Sequence, residues 1–190
     1  MTDVRCQYDD PAAPGKIAEA IRSHWQSLKK TYNCLRPVVV CIGSDYSTGD
    51  ALGPVVGSAL ARNSAMPVYG TMEEPIHADN LATKFDIILH KHPDGFFVVI
   101  DSATSDRSPA GTVVAYPGPL KPGAGIGKNL PSFGEFSVIG IVGRPIEKAH
   151  PLLGKYITTP EIRLYVVLQM AAVIRDAVKT AFDQEVVCRV

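Results

Sequence analysis

No sign of charge predominates in this chain: nineteen Lys and Arg balance nineteen Asp and Glu. Such a balance leaves no overall field to gather nucleic acid or an anionic membrane. Long hydrophobic runs are missing as well. The longest candidate, near the C-terminus, is interrupted by Arg163 and Arg175, so no membrane span is expected. The first fourteen residues are polar and carry Asp3, Asp9 and Asp10, unlike a secretory signal. Cysteine is scarce and scattered, since Cys6, Cys34, Cys41 and Cys188 form no CxxC pair and no zinc-like spacing. A reduced, cytoplasmic compartment is the expectation. Internal repeats, linkers and low-complexity tails are absent too. The 190 residues therefore read as a flexible leader over 1–14 and a single domain over 15–190.

What is present is organised around Pro37 to Arg62. Val38-Val39-Val40-Cys41-Ile42 is apolar on successive residues, as in a strand buried on both faces of a parallel sheet. Gly43 ends it, and the polar stretch Ser44 to Gly49 turns the chain. Asp50 then precedes a helical pattern in Leu52, Val55, Val56, Ala59 and Leu60, with Pro54 tolerated only near the first turn. Strand, loop and helix deliver a carboxylate to the carboxyl end of a strand, where ligands of open α/β sheets bind.

The remaining chain alternates in the same way. A helical stripe of Ile17, Ile21, Trp25, Leu28 and Tyr32 precedes the central unit. After it come a short strand at Pro67 to Thr71 and a helix from about His77 to His90, buried through Leu81, Phe85, Ile88 and Leu89. His90 and His92 read as a solvated loop, because no third ligand lies nearby. Phe96 to Ile100 is the second strongly buried strand, with Asp101 at its carboxyl end. Gly111 to Tyr116 reads as a strand after a short connection, antiparallel in that case. Phe136 to Val142 is another strand, and Arg144 to Tyr156 an irregular connector. Thr158 and Glu161 have capping-box spacing around Pro160, starting a helix that runs to about Phe182, and Glu185 to Val190 suggests an edge strand. The expected architecture is α/β, a three-layer α/β/α domain.

Two features carry chemistry. Asp50 and Asp101 are both expected at the same sheet edge, where close carboxylates share a proton, one acting as base on water and the other as acid. The same oxygens can instead hold a divalent ion. On residues alone the commoner reading of such aspartates is a helix N-cap at Asp50 and a solvated strand end at Asp101. The second feature is PGPLKPGAGIGKNLPSFG over 117–134, too rich in Gly and Pro for regular structure. Gly123, Gly125 and Gly127 would let backbone amides approach a ligand, but the stretch is neither a dinucleotide fingerprint nor a Walker loop.

The segments CIGSDYSTGDALGPVVG, VYGTMEEPIHADNL, FFVVIDSAT and GPLKPGAGIGKNLPSFGEFSVIGIVG, in that order between Pro37 and Gly143, resemble the YyaC-type sporulation proteins. Those are distantly similar to the germination protease of spore-forming bacteria and to the hydrogenase-maturation endopeptidases. GDALGP and PGAGIGK are the specific motifs. The resemblance implies a mixed, mostly parallel sheet of the phosphorylase/hydrolase-like, HybD-like kind. It implies a catalytic pair at Asp50 and Asp101, and a peptidase in the cytoplasm of a forespore or mother cell. Gly123, Gly125, Gly127 and Lys128 would bind the peptide or protein substrate, with Glu74 beside Glu73 as a specificity group. The endopeptidases also use a histidine to hold nickel; the segment after Tyr116 has none, and His77 reads as flanking its helix, so no metal is assigned. Two other readings use the same cleft: a catalytically silent peptide- or partner-binding module of spore formation, and a metal-dependent amide hydrolase. Homo-oligomer formation is left open.

Overall fold

The two unbroken apolar runs become adjacent central strands, because only a strand with neighbours on both edges and helices on both faces buries every side chain. The computed structural model describes residues 3–32, 35–121, 132–150, 154–158 and 161–182. Its elements in chain order begin with β1 (Val4–Gln7), α1 (Ala13–Lys29), β2 (Arg36–Cys41), α2 (Leu52–Ala61), β3 (Val68–Tyr69) and α3 (Leu81–Lys91). There follow β4 (Gly95–Thr104), β5 (Thr112–Pro117), β6 (Phe136–Gly143), β7 (Ile146–His150), β8 (Gly154–Thr158) and α4 (Leu164–Phe182). Among the described residues a six-stranded sheet has the order β1-β5-β6-β4-β2-β3, and β7-β8 forms a separate hairpin. The pairs β6-β4, β4-β2 and β2-β3 are parallel, while β5 runs antiparallel to both β6 and β1.

Side-chain alternation divides the core between the two faces. Val39, Cys41, Phe96, Val98 and Ile100 pack under α1, α2 and α4, together with Ile17, Trp25, Leu52, Val56, Met170 and Phe182. Val38, Val40, Phe97 and Val99 pack on the other face, under Leu81, Phe85 and Ile88 of α3. Leu120 and Phe133 complete that second layer. They exchange backbone hydrogen bonds of 2.9 and 3.0 Å, and the Phe133 ring stacks on Phe85 at 3.9 Å. The protein is thus a three-layer α/β/α structure on a mixed, mostly parallel sheet.

Several expectations are corrected. Residues 4–7 are not loose, because Val4 to Gln7 pair with Ala115 to Thr112 and bury Cys6. The connector after Gly143 contains the β7–β8 hairpin, and Thr158 belongs to β8 opposite Ile146. Engaged in that ladder, Thr158 does not start a helix, and α4 begins at Leu164. Likewise α3 begins at Leu81, because His77 to Asn80 form a turn in which the Asn80 side chain accepts from the His77 N–H at 3.0 Å. Leu89 and Tyr32 lie at the surface; α1 ends at Lys29, before Tyr32 can continue its stripe. The tail over 185–190 lies outside the described residues. Among the described residues no helix is long and apolar enough to cross a membrane.

Candidate active site

The site follows from where β2 stops. Cys41, its last residue, lies opposite Ile100 of β4. β4 does not end there as the sequence suggests, but continues to Thr104 because β6 still offers a ladder on its other side. Asp101 is the first β4 residue past the end of β2, opposite Ile139 of β6, and by alternation it shares the α3 face with Phe97 and Val99. The chain leaves β2 toward β3 and leaves β4 toward β5 and β6. Such a divergence is a topological switch point, which opens a crevice at the carboxyl edge.

The loop after β2 brings Asp50 back to the end of that strand. The Gly43 N–H donates to the Ile76 carbonyl at 2.8 Å, and the Gly43 φ of 139° suits glycine. A Cβ there would come within 2.0 Å of the Asp50 carbonyl oxygen, so the loop closes tightly on itself. Asp50 Oδ2 accepts two hydrogen bonds from Ser44, one from its N–H at 2.9 Å and one from its hydroxyl at 2.7 Å. Ser44 is only 7% exposed. Asp50 is therefore not an N-cap: Ala51 holds that position in α2 without a side-chain cap, and the carboxylate turns back to the end of β2.

Asp101 differs in environment. Its Oδ1 accepts from the Ser102 N–H at 2.8 Å. Burial pushes its pKa up to about 8; the Ser102 N–H opposes the rise and the Asp50 charge adds to it. That last and smallest contribution means that the charge of Asp50 is felt at Asp101. The residue keeps some solvent-accessible surface while its carboxyl is densely surrounded by protein.

The other expected site residues are not all brought here. Glu74 lies in the exposed turn after β3, where its N–H donates to the Thr71 hydroxyl at 3.1 Å; among the described residues its side chain has no partner. Gly123, Gly125, Gly127 and Lys128 lie outside the described residues. His77 flanks α3, its Nδ1 accepting from the Asp79 N–H at 3.4 Å. His92 caps the far end of α3 and bonds Tyr69 Oη at 2.7 Å, well away from a ligand role. Sequence reading missed Ser44. The available signal was its place directly after the strand-ending glycine, with an acceptor following within one loop.

A metal suits the pair poorly. Among the described residues no three His, Cys, Asp or Glu side chains gather as a metal would require.

Comparison with known proteins places the chain. A family model described as "Protein of unknown function (DUF1256)" matches residues 5–177. The "Uncharacterized protein YyaC" of Bacillus subtilis (strain 168) is 36% identical over 187 residues, covering 94% of this chain and 85% of that protein. Among solved structures, the [NiFe] hydrogenase maturation protease HycI from Thermococcus kodakarensis KOD1 superposes with a TM-score of 0.43 at 15% identity, over 77% of this chain and 92% of that one. Matched over most of its length by the family model and by YyaC, the chain belongs to the DUF1256 family of YyaC-type proteins.

Proposed function

We propose that the protein is a peptidase of spore formation in which Asp50 and Asp101 activate water for attack on a peptide carbonyl. One observation carries this reading. Asp101, buried where β4 runs on past the end of β2, feels the charge of Asp50, whose Oδ2 already accepts two hydrogen bonds from Ser44. Asp50 takes a proton from water, and the oxygen so freed bonds to the carbonyl carbon. Asp101 supplies its proton to the carbonyl oxygen. As the tetrahedral species collapses, the carbon–nitrogen bond breaks and the amine leaves with a proton returned through the pair. The sporulation setting, in the cytoplasm of forespore or mother cell, rests on the motif resemblance, and the substrate is a peptide or protein.

The test is hydrolysis of a peptide library and of spore-protein extract at roughly pH 6, read by mass spectrometry. Cleavage is expected, falling by roughly a thousandfold or more in Asp50→Asn and Asp101→Asn. It should also decline above about pH 8 as Asp101 loses its proton. A chelator should leave the rate unchanged. Activity abolished by chelator and restored by one metal would contradict the two-carboxylate mechanism. No cleavage, with both Asn variants supporting sporulation, would make the cleft a binding site.

A further inference from the structure

We infer that Ser44 is a positioning residue, whose hydroxyl and backbone N–H together fix the Asp50 carboxylate so that one oxygen is held and the other is left to accept a proton. The inference deepens the peptidase reading and rests on it for its kinetic arm only. Both donors converge on Oδ2, at 2.9 and 2.7 Å, from one buried residue. An oxygen that accepts two hydrogen bonds is a weakened base, because its lone pairs are engaged and its charge is partly neutralised. The proton drawn from water therefore goes to Oδ1. The two donors hold the same oxygen from different atoms, which restrains the carboxylate's rotation about its Cβ–Cγ bond more firmly than either would alone. The turn that carries them is itself fixed, since Gly43 is pressed against the Asp50 carbonyl and tied to Ile76.

A mere loop staple and a positioning residue differ in what they move. Replacing Ser44 by Ala removes the hydroxyl and keeps the N–H, so more of the Asp50 charge is left uncompensated toward Asp101. Ser44→Cys preserves volume with a weak donor, and keeps the test open should Ser44→Ala not fold. The experiment follows the Asp101 carboxyl by NMR across pH in the full chain, alongside peptide hydrolysis. In both variants its midpoint should rise by roughly half a pH unit. The kcat should fall about tenfold with KM within about twofold. Ser44→Thr, which keeps a hydroxyl, should restore both. A lower melting temperature with an unmoved Asp101 midpoint would reduce Ser44 to a staple and overturn the inference, whatever the rates do. If the wild type hydrolyses nothing, the peptidase reading falls and the midpoint alone decides the role of Ser44. If it is active and the midpoint stays, the inference falls and that reading stands.

Discussion

Asp101→Asn is expected to give an inactive protein that is more stable than the wild type at neutral and alkaline pH. The sign follows from proton binding. The Asp101 pKa is raised from an ordinary 3.8 to about 8, mainly by burial. Below 3.8 the folded and unfolded chains both hold this proton. Between 3.8 and about 8 the unfolded chain releases it and the folded chain retains it, so this group's contribution to stability falls as pH rises. Asparagine keeps an oxygen for the Ser102 N–H and cannot ionise, so the variant lacks that fall. At about pH 8 the variant should be more stable by about 3 kcal/mol, a discounted figure from ~1.4 kcal/mol per pH unit. Urea unfolding of both proteins from about pH 4 to 9 checks this. Parallel curves, with no widening gap, would show that Asp101 is an ordinary solvated carboxylate. Stability gained as activity is lost would mark the acid as held there for chemistry.

Gly53→Ala should be among the most damaging small changes in the chain, although alanine normally favours a helix by about 1 kcal/mol. Gly53 lies in the first turn of α2, and a Cβ there would stand 2.0 Å from the Ile42 carbonyl oxygen, 2.8 Å from its carbon and 2.9 Å from the Ile42 nitrogen. These are backbone atoms, and they cannot yield freely. The Ile42 N–H donates to Ile100 at 2.7 Å, so pushing Ile42 aside disturbs the end of β2 itself. A loss of about 2–4 kcal/mol is expected. Activity should fall further than stability explains, because the start of α2 moves and carries Asp50 with it. Gly15→Ala is the control. Gly15 also lies in the first turn of a helix, but nothing lies within 4 Å of its Cβ position, so it should be neutral or slightly stabilising in the same melts. Equal effects at the two glycines would mean that α2 does not press on β2.

What the sequence could and could not reveal divides along physical lines. β2, β4 and β6 were legible because burial on both faces demands continuous apolar residues. β1 was not, since an edge strand of four residues that buries only Cys6 has no such demand. The β7–β8 hairpin was hidden because its hydrogen bonds lie between backbones, and the polar sequence of Ile146 to His150 does not advertise them. The capping-box reading at Thr158 failed through competition, a strand partner winning over a local cap. The aspartates show the same division. That both stand at the carboxyl edge could be read from two strands and their ends. That β4 runs on past β2, leaving Asp101 inside a ladder beside a gap, depends on β6, a neighbour distant in sequence. The grip of Ser44 on Asp50 depends on how the loop closes, set by the room that Gly43 and Gly53 leave.

The most direct measurement is a carboxyl-resolved NMR titration of Asp101, in the wild type and in Asp50→Asn. The expected result is a wild-type midpoint near 8, moving down once the neighbouring charge is removed. A midpoint in the ordinary aspartate range, unmoved by that substitution, would contradict a shared site and leave two unrelated acids at one sheet edge.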